Sequence, residues 1–311
     1  MSGRVLGIDI GATNLRACTL DEDNAVAWSD RAALDTSDPP GSIVRQIEGM
    51  VGNHPGSFSK AGVGVAGFVS MRRNLVLRIP NADLGETDVA SALGAAFGVT
   101  PVILNDAVAA VVAEREALHS GVQDMAYVTL STGIGGAAFL GGRLVAGSEG
   151  NSHEVGHIVV DYTGLMQCAC GGRGHWESYC SGANVPAYAA KLASREGGRE
   201  LERLLSGGAL SPERVFGLCK RGDAFGRVLM KELCRMNAAG LASVVNVYWP
   251  EVLVIGGSLA LNNWDEFIVP SVQAAQKMLA HPLPEFRKSF YGDMVSAVGA
   301  AIFARSPSSY F

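Results

Sequence analysis

No stretch of this chain approaches the roughly 20 consecutive apolar residues that a membrane-spanning helix requires, and no charged-then-apolar leader precedes the strand-like run that begins at Val5. Basic residues are in deficit: 25 Lys and Arg stand against 30 Asp and Glu, a formal net charge of −5, which argues against a surface built for nucleic acid. The 39 glycines follow no collagen-like period, so they punctuate turns and ligand loops. No Walker lysine is available for a phosphate. These absences leave a soluble chain, expected in the cytoplasm and without a membrane partner, whose 311 residues are long for one hydrophobic core and point to two lobes.

What is present begins with Cys168-Ala169-Cys170-Gly171-Gly172-Arg173-Gly174-His175-Trp176-Glu177, preceded by His157. His157, Cys168, Cys170 and His175 offer two imidazoles and two thiolates, the donor set and number that Zn²⁺ takes in closed tetrahedral sites. Such a site holds a loop rather than performing chemistry. The competing readings are inert buried thiols, or a disulfide, which needs an oxidising compartment. Cys180 lies near enough to be a spare, while Cys18, Cys219 and Cys234 are scattered among apolar segments. Glu154 and Glu177 flank the motif, so a structural metal here pins two carboxylates.

Along the chain, strands end in glycine turns. Val5 to Ile10 reads as a strand that breaks at Gly11-Ala12-Thr13-Asn14 and returns over Leu15 to Leu20. A further strand around Ala25 to Trp28, a helix from about Ser42 to Val51, buried strands at Ala61 to Gly67 and Pro101 to Leu104, and an alanine-rich helix from Ala107 to Leu118 give α/β patterning. The second half opens as the first does, with a strand from Met125 to Leu130, the turn Ser131-Thr132-Gly133-Ile134-Gly135-Gly136, and a return over Ala137 to Leu140. A helical stretch from Phe225 to Tyr248 precedes the strand Val252 to Ile255, which turns at Gly256-Gly257-Ser258. The last helix spans about Ser296 to Ala304. The repeated opening points to a duplicated domain, with a first lobe over residues 1–120, its boundary approximate and the final helix able to pack with it, and a second lobe over 121–311 that carries the zinc-binding loop.

Glycine turns after strands can cradle phosphate, because their backbone N–H groups form an anion-binding nest and a missing Cβ admits the ligand. Neither hairpin turn fits a P-loop or a dinucleotide-binding fingerprint, since each joins two strands. Taken in order, Asp9-Ile10-Gly11-Ala12-Thr13-Asn14, Leu104-Asn105-Asp106-Ala107, Leu130 to Gly136, Glu154-Val155-Gly156-His157, Cys168 to Glu177 and Val254-Ile255-Gly256-Gly257 resemble the motifs of the ROK family of sugar kinases, which also includes repressors. The resemblance covers nearly the whole chain. It implies an α/β fold of the actin-like ATPase kind, two ribonuclease-H-like lobes with ATP and sugar in an interlobe cleft. Two departures stand out: His175 occupies the position where most members have a third cysteine, and Gly172 softens the usual basic pair. Histidine ligates zinc as cysteine does, so the metal is expected to survive.

Carried over onto these positions, the resemblance implies that Asp106 is the general base for the sugar hydroxyl, although a carboxylate at a strand end is more often a helix cap, and Asp106 does precede a helix. Asp9 resembles the aspartate that handles the Mg²⁺ bridging the ATP phosphates; as a turn residue it would merely satisfy backbone N–H groups. Gly11, Thr13, Asn14, Thr132, Gly133 and Gly136 would serve the phosphates, and Gly256 and Gly257 would let adenosine lie against bare backbone. For the sugar the set is Gly67, Asn81, Asn105, Asp106, Glu154, His157 and Glu177, with His157 also a metal ligand; Asn81 reads equally as a turn residue. His153 reads as a solvated loop residue.

The implied activity is an ATP-dependent hexose kinase, with glucose as the substrate because two glutamates supply acceptors for hydroxyls. N-acetylhexosamines, mannose and fructose are the alternatives, as is a non-catalytic sugar-binding protein, which an intact Asp106 argues against. A repressor of this family would carry a helix-turn-helix ahead of its first phosphate turn; this chain reaches that turn at Asp9, so no nucleic-acid partner is expected. A homodimer is expected from the resemblance.

Overall fold

The computed structural model describes residues 3–38, 41–52, 57–79, 84–118, 121–196, 204, 206, 208, 210–222 and 224–311. Two five-stranded sheets carry the fold. The first holds β1 (Val5–Ile10), β2 (Asn14–Leu20), β3 (Val26–Ala33), β4 (Lys60–Val65) and β7 (Val102–Asn105) in the order β3-β2-β1-β4-β7. β1 pairs antiparallel with β2 and parallel with β4, and β4 pairs parallel with β7. The second holds β8 (Met125–Leu130), β9 (Ile134–Leu140), β10 (Arg143–Leu144), β11 (Val252–Gly256) and β12 (Glu285–Lys288) in the order β10-β9-β8-β11-β12. The same path is thus traced twice: three strands in succession, a fourth beside the first of them, then a fifth. Between β4 and β7 lies a small antiparallel pair, β5 (Phe68–Ser70) and β6 (Leu75–Arg78).

The strands buried on both faces were the easiest to read, since β1 and β11 are buried at every residue. β3 runs to Ala33, past the expected Trp28, because it lies at the sheet edge with most residues exposed and shows little apolar pattern. β9 begins at Ile134, three residues before the expected Ala137. The helices are α1 (Gly41–Gly52), α2 (Val89–Phe97), α3 (Asp106–Ala117), α4 (Glu177–Cys180), α5 (Val185–Glu196), α6 (Pro212–Arg221), α7 (Ala224–Tyr248), α8 (Ser258–Asn262), α9 (Val269–Ala275) and α10 (Val295–Arg305). No helix among the described residues is long and apolar enough to cross a membrane.

Contacts gather the chain into two compact units, one of Met1–Tyr127, Ala137–His153 and Ser289–Phe311, the other of Val128–Gly136 and Glu154–Lys288. The last helix, α10, joins the first unit through backbone contacts that only small residues allow. A Cβ on Gly7 of β1 would lie 1.9 Å from the Ala297 carbonyl oxygen, one on Gly62 of β4 2.1 Å from that of Ala300, and one on Gly299 of α10 1.7 Å from that of Ala109 in α3. α10 is buried from Val295 to Ala304. In the first unit Leu6, Ile8, Ile10, Leu15, Ile43 and Val63 belong to one apolar cluster.

Candidate active site

In the first unit, β1 ends beside a turn in which the Gly11 N–H donates to the Asn14 carbonyl at 3.0 Å. Gly11 is required there, since a Cβ would lie 2.9 Å from that same oxygen. Asn14 Nδ2 donates to Thr13 Oγ1 at 2.9 Å, and Thr13 is exposed. Asp9 is buried and accepts from Arg16 Nη1 at 2.8 Å. Burial raises its carboxyl above the usual aspartate range, and the Arg16 guanidinium works against that shift. Arg16 was not among the expected site residues; its place opposite Asp9 follows from the β1/β2 register.

Asn105, the last residue of β7, caps α3: its Oδ1 accepts from the N–H groups of Ala107 at 2.9 Å and Val108 at 3.3 Å, while its Nδ2 donates to the Gly67 carbonyl at 3.1 Å. Asn105 and Gly67, both expected to serve the sugar, are thus in direct contact. Gly67 packs tightly enough that a Cβ would stand 2.2 Å from the Arg78 carbonyl oxygen. Asp106 is the first residue of α3, half-buried, where the helix dipole favours a carboxylate. Asn105 is thus the N-cap residue, and Asp106 Oδ1 also accepts the Ala107 N–H, at 2.9 Å. Asn81 lies outside the described residues. His153 is buried rather than solvated, its ring bonded to the Val145 carbonyl, and burial holds its pKa below the usual histidine value.

In the second unit, the turn after β8 is held from three sides. The Ser131 N–H donates to the Gly133 carbonyl at 2.9 Å, while Gly182 and Ala183 donate backbone N–H groups to the Ser131 and Thr132 carbonyls at 2.7 and 3.1 Å. Thr132 is exposed at the tip; Gly136 is buried within β9. Beside the turn opens a cavity of about 490 Å³, lined among others by Ser131, Thr132, Phe216, Lys220 and Ser258. An aromatic ring, a cation and hydroxyls around such a volume suit a charged, partly aromatic ligand. Gly256 and Gly257 do not line it. Gly257 instead makes it possible, with φ 88° and a would-be Cβ 2.2 Å from the Leu130 carbonyl oxygen, so that Ser258 follows at the wall with its Oγ 3.2 Å from Ser131 Oγ. Phe216 and Lys220 come from α6, which carries no glycine-turn signature and was missed in the sequence.

The Cys/His motif folds as its spacing required. The ligand atoms of His157, Cys168, Cys170 and His175 all lie within 4.8 Å of one another. His157 Nδ1 is 3.3 Å from His175 Nδ1 and 3.7 Å from Cys168 Sγ, and Cys170 Sγ is 3.3 Å from His175 Nδ1. A tetrahedral centre with bonds of about 2.0–2.3 Å has edges of roughly 3.3–3.8 Å, so these separations suit one metal ion. Gly171 and Gly174 turn the loop with φ of 92° and 76°. Gly172 must also be small, since a Cβ would meet the His175 ring at 2.3 Å.

With Nδ1 turned to the cluster, His157 presents Nε2 to Glu154 Oε2 at 3.7 Å. Burial, first, and the nearby Glu177 raise the Glu154 carboxyl above its usual range, while His157 lowers it. Glu177 starts α4: its Oε2 accepts the Ile134 N–H at 2.9 Å, and its Oε1 lies 3.9 Å from Cys168 Sγ.

Comparison with known proteins agrees with this geometry. A glucokinase of Pyrobaculum calidifontis is 35% identical over 302 residues, covering 97% of this chain and 95% of that protein. An N-acetylmannosamine kinase of Yersinia pseudotuberculosis is 27% identical over 307 residues, covering 98% and 99%. The crystal structure of a ROK family glucokinase from Streptomyces griseus in complex with glucose and AMPPNP superposes with a TM-score of 0.81 at 28% identity, covering 97% of this chain and 99% of that one. The two like sheets are those of the actin-like ATPase fold. Since the family model for ROK matches residues 5–306, the chain belongs to the ROK family.

Proposed function

We propose that this chain is an ATP-dependent hexose kinase that phosphorylates the 6-hydroxyl of glucose, with Asp106 as the base. What supports this reading is the setting of Asp106: half-buried as the first residue of α3, where the helix dipole favours the carboxylate form that a base must have, with Oδ1 held by the Ala107 N–H. In the reaction, the 6-hydroxyl oxygen attacks the γ-phosphorus as its proton passes to Asp106, and the bond from the bridging oxygen to the γ-phosphorus breaks to leave ADP. Asn105 and Gly67 fix the position of that helix end. Glu154 and His157 would accept and donate to sugar hydroxyls, the ring of His157 held in one orientation by its Nδ1 ligation.

The cavity beside Ser131 and Ser258 is where the adenosine would lie; Thr132 and Gly133 would serve the phosphates, as would Gly11, Thr13 and Asn14. Asp9 would help hold Mg²⁺, whose charge neutralises that of the phosphates. The His157, Cys168, Cys170 and His175 cluster would hold one structural Zn²⁺ per chain, being the donor set such an ion takes. The protein would act on small molecules alone, as a homodimer in the cytoplasm.

A coupled ADP-release assay with Mg-ATP across glucose, mannose, fructose, N-acetylglucosamine and N-acetylmannosamine tests the reading. The highest kcat/KM is expected for glucose, with mannose lower by about 10-fold to 10²-fold if its axial hydroxyl loses one hydrogen bond. A preference for N-acetylmannosamine would move the chain toward the function of its Yersinia relative. No sugar-stimulated ADP release with any of the five would reject the kinase.

A further inference from the structure

The loop that leads from β10 to Glu154 is closed on itself by one carbonyl. That of Val145 accepts from Ser152 Oγ at 2.6 Å and from the ring Nε2 of His153, while the Ser152 N–H donates to the Ala146 carbonyl at 3.3 Å. A carbonyl has two lone pairs and can only accept, so the imidazole carries a proton on Nε2. The body of the loop is tied separately: Asn151 Oδ1 accepts the Val69 N–H at 2.8 Å, and the Met71 N–H donates to the Glu149 carbonyl at 3.0 Å. His153 is 8% exposed and has φ 72°, left-handed backbone that a residue with a Cβ rarely adopts. Such backbone persists only where its surroundings hold it, and the bond from the ring to Val145 is such a hold. The next residue is Glu154, whose side chain makes no capping bond to the short turn Val155–His157 that follows. Its backbone is tied next where the His157 N–H donates to the Glu154 carbonyl at 3.0 Å.

We propose that His153 is a positioning residue for sugar binding: its ring, anchored on the Val145 carbonyl, fixes the left-handed turn from which Glu154 leaves the chain, and so aims the Glu154 carboxylate. This rests on the kinase reading for the role of Glu154 as a sugar acceptor. The φ at position 153 sets the direction in which the following residue departs. A carboxylate several bonds away swings with it, and a shift of about 1 Å is enough to spoil a hydrogen bond to a substrate. Ser152 and Asn151 tie the loop ahead of this bond, so the ring is the last of these side-chain ties before Glu154. Glycine at 153 would take the same φ without holding it, whereas alanine would neither take it readily nor hold it.

Four full-length proteins test this: wild type, His153→Gln, whose amide nitrogen can reach the same carbonyl, His153→Gly and His153→Ala. His153→Gly should melt close to wild type and yet raise KM for the best of the five sugars about 10-fold, with KM for ATP changed by less than about 2-fold. His153→Gln should recover most of that loss. His153→Ala should show the same split together with a lower melting temperature, because its Cβ opposes the φ. In a Glu154→Ala background His153→Gly should reduce kcat/KM for the sugar by less than about 2-fold further, since the group it positions is already gone. Equal rises in both KM values, or a full further 10-fold loss in the Glu154→Ala background, would overturn the proposal, because a residue that only supports the fold affects both substrates and acts without Glu154. Hydrogen exchange of the His157 amide is read without sugar and should be at least about 5-fold faster in His153→Gly; unchanged exchange would overturn the proposal even with the kinase reading intact. A wild-type protein that phosphorylated none of the five sugars would reject the kinase reading, while faster exchange would still show the ring holding this backbone.

Discussion

At the scale of single residues, Asn105 and Asp106 stand side by side with different work, and substitution should separate them. Asp106→Asn should lower kcat by roughly 10²-fold or more while leaving the melting temperature close to wild type, because an asparagine oxygen can still accept the Ala107 N–H that Asp106 Oδ1 takes and Asn105 keeps its own bonds to Ala107 and Val108. Asn105→Ala should instead cost about 1 kcal/mol of stability, the usual effect of a lost N-cap, and would also break the tie to Gly67. Thermal unfolding and steady-state kinetics on the two proteins check both statements. If Asp106→Asn kept most of the wild-type rate, Asp106 would not be the base. The sequence placed both residues at a strand end before a helix, which was legible from the apolar run and the alanines that follow. How the two share the first N–H groups was not legible, since either side chain can accept from them and the division depends on how the strand delivers its last residue.

At the scale of elements, α10 shows how glycine spacing in one segment answers the backbone of another. Gly299 meets α3 with no room for a methyl group, the would-be Cβ falling 1.7 Å from the Ala109 carbonyl oxygen. Gly299→Ala should therefore destabilise by about 1–3 kcal/mol, as overpacking of a tight core does, despite the better helix propensity of alanine. Because α3 begins at Asp106, its displacement should also reduce kcat. Denaturant unfolding of Gly299→Ala is the check, and wild-type stability would show that the helices can part without cost. The Cys/His loop is a second element whose prediction is compositional. Elemental analysis should find about one zinc per chain, and Cys168→Ser/Cys170→Ser should lose it, since two of the four donors of a tetrahedral site are gone. Full zinc content in that variant would place the metal elsewhere.

At the scale of the whole molecule, the chain returns to its first unit at Ser289, and a buried carboxylate receives it. Glu114 of α3 accepts from Ser289 Oγ at 2.5 Å and from the Phe290 N–H at 3.0 Å. Burial raises the Glu114 carboxyl above the usual glutamate range, and these hydrogen bonds only partly oppose it. The folded state therefore holds this proton more tightly than the unfolded chain does. The stabilising contribution is full below the ordinary glutamate pKa of about 4.3 and is lost as pH rises through the raised value. Glu114→Gln, which keeps an acceptor and cannot ionise, should remove that slope. The stability of wild type minus that of the variant should fall as pH rises from about 4 toward neutrality, as measured by urea unfolding. A difference independent of pH would mean that the carboxyl is not perturbed by its burial.

The sequence by itself determined the elements with strong local signals: the doubly buried strands β1, β8 and β11, the two glycine turns, the alanine-rich helix that starts at Asp106, and a Cys/His spacing that brings four donors within reach of one ion. These are short-range facts, set by apolar runs, by missing side chains and by donor chemistry. The duplication of the sheet followed from seeing the same strand–turn–strand opening twice. Tertiary structure alone decided the partnerships: the Arg16 guanidinium on Asp9, α6 lending Phe216 and Lys220 to the cavity, His153 turned inward, and Glu177 holding a turn some forty residues behind it in the chain. Each of these joins residues that no periodicity relates. A carboxylate is equally suited to a sugar hydroxyl and to a backbone N–H, and only the fold shows that Glu177 Oε2 reaches the Ile134 N–H.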